Sequence, residues 1–255
     1  MDPFPEDPRG IRWSRSVAFV ASAAGAAGVL RFTWHRPAVA ACMLGGAFAV
    51  VLVRWLSRRR LRRALRSGDV RSVLHRWSPS LERVPHPATM GPLMTATAFA
   101  AYGWVEKARA ALASAERGPA WDAALEHRLF LDALLLTFEG DRDGALEQAG
   151  RLARLPLPAA APLLRDRVQM LRGAVVALAR AFAHRSEPGD RQLLEQASET
   201  SPLVFWAMRY AAAVVAVDER EWASARRLVD GAPTWPAEST FRAFHEEILK
   251  QLPAA

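Results

Sequence analysis

The chain has 255 residues, 51% of them hydrophobic, one cysteine and a formal charge of +8. That length holds one sizeable core beside a smaller element, and a single cysteine excludes any disulfide within the chain. Nucleic acid as partner is disfavoured because the basic excess is local: nine arginines lie between Arg54 and Arg76 against Asp69 alone, whereas the chain from Trp77 onward carries −2.

Trp13, Trp34 and Trp55 are spaced 21 residues apart around the two most apolar stretches. At about 1.5 Å per residue such a spacing rises roughly 31 Å, the thickness of a bilayer's hydrocarbon core, and indole rings favour its two interfaces. Ser16 to Leu30 carries no charge and extends to Trp34 if Arg31 snorkels. Pro37 to Val53 is also uncharged and begins with a proline suited to a first helical position. Two transmembrane helices are expected, at about 16–34 and 37–56, joined as a tight hairpin through small residues such as Gly25, Gly28, Gly45 and Gly46.

The arginine block then forms a basic juxtamembrane segment over 57–87. Arg54, Arg58, Arg59 and Arg60, with the three tryptophans, are expected at the membrane interface against anionic headgroups. The positive-inside rule keeps this block in the cytoplasm together with the tail 1–15, so both termini are expected on the inner side of a plasma membrane. A bacterial inner membrane is inferred from the use of arginine over lysine, 32 to 2. Competing readings of the same stretch are a hairpin buried in a water-soluble helical protein and a cleaved signal; Val39 to Cys42 resembles a lipobox, but two arginines precede it and the apolar run continues past it.

From residue 88 the sequence is rich in Ala, Leu and Arg and is expected to be all-α. Turn signals recur at helix-length intervals, at Gly68-Asp69, Tyr102-Gly103, Gly140-Asp141, Pro188-Gly189-Asp190 and Asp218 to Glu221, with longer proline-containing breaks between them. Leu129 to Pro156 is the clearest unit: Ala133 and Leu136 precede Glu139-Gly140-Asp141, and Ala145, Ala149 and Leu152 follow it. Ala96, Phe99, Gly103, Ala108, Leu112 and Ala115 repeat the spacing, as do Ala213, Ala216, Trp222, Ala225 and Val229 without a glycine. These units resemble the tetratricopeptide repeat, although Arg165 to Ser201 departs from it and Ala108 and Ala145 are 37 residues apart rather than the family's 34. The resemblance implies stacked antiparallel helix pairs, an α-solenoid, over 88–255. An irregular helical bundle is the alternative. Arg62 to Val73 fits half a unit, and Ala237 to Leu252 fits a capping helix.

Chemistry is sparse. No glycine-rich phosphate loop occurs, His245-Glu246-Glu247 lacks the second histidine of a helical zinc motif, and no nucleophile elbow is present. Glu126-His127 and His184 suit solvated surface better than acid–base work. Neither catalytic nor metal residues nor a cofactor is expected. Stacked pairs instead offer a concave surface for a protein partner, and Arg165, Gln169, Arg172 and Arg209 are candidates to clamp an acidic segment, a solvated helix face being the plainer explanation. The leading expectation is a membrane-anchored, non-catalytic scaffold or adaptor. The layout of two spans, a basic segment and helical repeats is also similar to the membrane protein found with bacterial haem-biosynthesis genes, which implies an accessory subunit of a membrane enzyme or pathway. A third reading is a soluble all-helical protein with a buried apolar hairpin.

Overall fold

Runs of Ala and Leu punctuated by Gly, Pro and Asp favour helices and little else, and the computed structural model of the chain is all helical. It describes residues 37–158 and 161–253, the side chains of 37–47 and of Arg58 excepted. Among these there are twelve α-helices, one short 3-10 turn at Pro202–Val204 and no strand. The chain divides into two compact units, Met1–Arg60 and Leu61–Ala255.

Helix α1, Pro37–Arg66, carries proline at its start and two arginines in its last turn. Large apolar side chains are exposed around its middle: Phe48, Val50, Val51, Leu52, Val53, Trp55 and Leu56 are between 39% and 68% exposed. The Arg59 guanidinium lies over the Trp55 ring, 5.1 Å from its centroid, and Arg54 and Arg60 are exposed. Among the described residues no single helix is long and apolar enough to cross a membrane. The expected first span, with Trp13 and Trp34, lies outside those residues, and so do most side chains of the run from Pro37 to Val53.

In the second unit α2 (Val70–Leu81) precedes four helix pairs: α3 (Pro87–Ala101) with α4 (Val105–Ala113), α6 (Leu125–Glu139) with α7 (Arg142–Ala153), α8 (Pro162–Phe182) with α9 (Asp190–Thr200), and α10 (Phe205–Asp218) with α11 (Trp222–Val229). A short helix α5 (Pro119–Ala123) links the first two pairs, and α12 (Thr240–Gln251) ends the unit. Each first helix packs on its own partner and on the next first helix. The alanines that the sequence pattern singles out sit at these contacts, with Ala96, Ala108, Ala133, Ala145, Ala213 and Ala225 at most 1% exposed.

All four first helices end the same way. The N–H groups of Trp104, Asp141, Arg185 and Glu221 donate to the carbonyls of Phe99, Leu136, Arg180 and Ala216, five residues back, at 2.8–3.0 Å. Just before each donor the backbone turns left-handed, at Gly103, Gly140, His184 and Arg220. This is the Schellman cap, which satisfies carbonyls left free at a helix end. Glycine takes the position without steric cost; the third and fourth pairs place His184 and Arg220 there instead, at φ of 54° and 60°. The expected turn at Pro188-Gly189-Asp190 is present, with the Asp190 N–H donating to Glu187 O at 3.1 Å, but it follows the cap of α8 rather than forming it. Those residues start α9, with Gly189 as N-cap and the buried Asp190 carboxylate accepting from Arg180 Nε at 2.9 Å and Nη2 at 2.5 Å.

The unit closes on itself. The last carbonyls of α1 accept hydrogen bonds from both ends of the stack: Tyr102 donates its hydroxyl to Leu65 O at 2.7 Å, and Trp206 donates its indole N–H to Arg66 O at 2.8 Å. Gly68 permits the approach, since a Cβ there would stand 2.6 Å from Pro233 Cγ. The final helix does not merely cover the last pair, as a capping helix would. Ser239 Oγ donates to Tyr102 O and Thr240 N–H to Gly103 O, at 2.7 and 2.9 Å. Phe241 then packs against Phe138, Tyr210 and Trp235, with ring centroids 5.1–5.3 Å away, and Phe244 against Phe182 at 4.8 Å. Helix α12 thus rests on residues of α6, α8 and α10 and on the turn after α3, and the side on which a stack of first helices would receive an extended peptide carries the chain's own C-terminal helix.

Candidate functional site

Away from that side, among the described residues, lies an open groove of about 790 Å³, within the range of sites that take apolar ligands or side chains. Six separated segments build it: the loop before α3 (Val84, Pro85, His86), Met90 on α3, Pro119, Ala120, Ala123 and Ala124 around α5, Glu126, His127 and Phe130 on α6, Leu152 of α7, and Val168, Leu171 and Arg172 on α8. Prolines shape the rim. Pro87 and Pro119 each begin a helix, where a missing N–H costs nothing, and the Thr89 hydroxyl donates to Glu116 O at 2.9 Å, tying the start of α3 to the loop before α5.

Four polar side chains, those of His86, Glu126, His127 and Arg172, interrupt the apolar wall. Arg172, 5% exposed, donates from Nε to Glu126 Oε1 at 3.0 Å, from Nη1 to Leu155 O at 2.6 Å and from Nη2 to Pro156 O at 3.3 Å. It joins α6, the exit of α7 and α8, placing positive charge beside carbonyls at the end of α7. His127 Nε2 is 2.7 Å from Thr97 Oγ1. That hydroxyl is also 2.9 Å from Leu93 O; when it donates there, the imidazole Nε2–H is the donor to Thr97 and Nδ1 the acceptor. Glu126 and His127 both line this groove, although adjacent positions on a helix point in different directions. An ion pair already formed within a largely apolar wall suits an apolar segment.

Burial pushes the His127 imidazole below its ordinary value of 6.5, more than Glu126 raises it. Above that value the ring is neutral folded or unfolded; as the pH falls below it the unfolded chain binds a proton that the folded chain resists, and stability drops. His245 is shifted in the same direction, again chiefly by burial. His127→Gln is expected to flatten part of this acid loss, His245→Gln a smaller part, in urea midpoints compared between about pH 7.5 and 5.5. Equal acid sensitivity in His127→Gln and the parent would contradict the assignment.

The four residues expected to clamp an acidic segment do not act together. Arg165 and Gln169 are exposed on α8. Arg172 is buried and engaged as described. Arg209 on α10 donates to Leu228 O at 2.6 Å and Arg227 O at 2.5 Å, so it caps the last turn of α11 while lying over the Phe205 and Trp206 rings. Burial pushes its guanidinium below its ordinary value. Two of the four are thus helix-end fasteners. His184 pairs with Asp218 at 3.0 Å beside a smaller cavity of about 250 Å³, both partly exposed. Among the described residues no group of three His, Cys, Asp or Glu side chains is placed to hold a metal ion.

Sequence reasoning missed the groove walls Val84, Met90, Phe130, Val168 and Leu171, whose apolar character alone does not separate them from the core. The doublet Glu126-His127 was the one available signal. No protein-family model matches the chain, and no curated protein or solved structure matches it.

Proposed function

We propose that the chain is a membrane-anchored, non-catalytic adaptor: its N-terminal part anchors it in a bacterial inner membrane, and tetratricopeptide-like helix pairs on the cytoplasmic side receive a protein partner. The observation that carries the anchor is the middle of α1. Seven large apolar side chains between Phe48 and Leu56 stand 39–68% exposed. Leaving them in water forfeits on the order of 5–10 kcal/mol of burial, and a helix that exposes so many large apolar groups is one that lipid or a core would surround. The arginines that follow, with Arg59 over Trp55, fit the headgroup layer. Support for the adaptor reading comes from the four identically capped pairs and from the open apolar groove, which takes the role first expected of the concave side.

Membranes from cells expressing the full chain, washed at alkaline pH, test the anchor. Retention in the pellet is expected, and release by alkali or by salt alone removes the basis of the proposal. For the groove, Leu171→Arg is expected to abolish partner co-purification from detergent-solubilised membranes while Gln169→Ala preserves it; equal loss in both would place the contact elsewhere.

A further inference from the structure

We infer that the start of α8, at Leu163 and Leu164, is a second membrane-contact site, separate from α1, that seats in the headgroup–acyl boundary of an anionic bilayer. The inference rests on the reading of the chain as membrane-anchored. In the unit Leu61–Ala255 the two most exposed large apolar side chains are these neighbours, Leu163 at 85% and Leu164 at 51%. Single exposed leucines are ordinary on protein surfaces; an adjacent pair at the tip of a helix is a small apolar prow.

Its charge setting selects lipid over protein. Between Arg154 and Arg165 the sequence has no charged residue. Both arginines are exposed and, among the described residues, neither forms an ion pair. Beyond them stand Arg151, which donates to Gln148 Oε1, and Arg167, two residues past Arg165, which donates to Thr200 O. Asp166 is the one acid from Arg151 to Arg167. An uncharged tip between unpaired cations is the pattern of a segment that dips into a negatively charged interface, where the arginines stay among phosphates while the leucines go deeper. The backbone tolerates such a place: Pro162 has no N–H, and the N–H groups of Leu164 and Arg165 both donate to Ala161 O, at 2.9 and 3.2 Å. An anchor elsewhere in the same chain raises the effective concentration of the tip at the bilayer, so a weak contact suffices.

Leu164, Val168 and Leu171 recur at helical spacing along α8, and the latter two wall the groove. A tip seated in the interface sets the groove at the membrane surface, within reach of the membrane-proximal end of a partner helix.

The test uses the full chain carrying Cys42→Ser and Leu163→Cys, labelled with an environment-sensitive nitrobenzoxadiazole dye and reconstituted into phosphatidylcholine vesicles with or without phosphatidylglycerol. A several-fold rise in emission with a blue shift, quenched by bromine-labelled acyl chains and dependent on the anionic lipid, is expected at residue 163. The same label on Lys250→Cys, exposed on α12, should show neither, and Arg154→Gln with Arg165→Gln should abolish the effect at 163. Water-like emission at 163 in both vesicle types overturns the inference, as does a shift that persists in detergent without lipid, which would mean that protein covers the tip. Equal quenching in neutral vesicles overturns the role of the arginines. Alkaline extraction of the same vesicles reports the anchor independently: a retained chain with a water-exposed tip sinks this inference alone, and a chain washed off the vesicles sinks the anchored reading.

Discussion

Phe241→Ala is expected to lower the unfolding free energy by about 3–5 kcal/mol, the cost of emptying a large aromatic site in a packed core. Phe241 is 0% exposed and packs edge-to-face on Phe138 and Trp235, with Tyr210 tilted alongside. These neighbours come from α6, from α10 and from the loop before α12, so no single element can relax into the space. Contact with Gly103 sharpens the point: a Cβ there would stand 2.8 Å from Thr240 Oγ1 and 2.9 Å from Phe241 Cδ1, so the turn after α3 is already in close contact with the ring. Leu249, on the same helix but 48% exposed, is the control, and Leu249→Ala should cost under about 1 kcal/mol. Urea unfolding of the full chain in mild detergent measures both. Comparable losses in the two variants would show that α12 is a surface appendage and that the side it covers is open to peptides after all.

The same contacts explain what was legible in the sequence. The helix pairs were, because alanines at touching faces and glycines at left-handed positions are local requirements: Ala133, Gly140 and Ala145 mark one pair unaided. The third cap was not. His184 occupies its left-handed position, a conformation that costs a side chain energy and leaves no compositional trace, while the conspicuous Pro188-Gly189-Asp190 belongs to the start of the next helix. Gly68 and Gly103 read as turn glycines, and they are, but their lack of a side chain also answers to Pro233 and to Thr240 and Phe241, far along the chain. Periodicity put Arg165, Gln169 and Arg172 on one face of a helix without revealing that this face turns, at Arg172, toward the end of α7. A groove made of six segments has no sequence signature, since each segment contributes only one to four ordinary side chains.

Arg172→Met is expected to cost about 2–4 kcal/mol, and most of that should come from two carbonyls rather than from the ion pair. The guanidinium holds Leu155 O and Pro156 O at the exit of α7 as well as Glu126; a hydrogen bond from a charged donor contributes about 1.5–3 kcal/mol, less at Pro156, which is exposed, than at the half-buried Leu155. Glu126 is different, because its side chain is 48% exposed and regains water when the pair is lost, so its share should stay below about 1 kcal/mol. Glu126→Gln should therefore be nearly silent, and a double-mutant cycle between the two positions should give a coupling under about 1 kcal/mol. Arg172→Lys should recover little of the loss, since one ammonium cannot reproduce a planar fork aimed at three acceptors. A Glu126→Gln variant as damaged as Arg172→Met would reverse the ranking and make the ion pair the fastening. The ranking bears on function, because Leu155 and Pro156 begin the uncharged stretch that leads to Leu163. If the carbonyl contacts dominate, Arg172 fixes the near end of that stretch against the groove wall, and the groove and the tip of α8 keep a constant spacing when either is occupied.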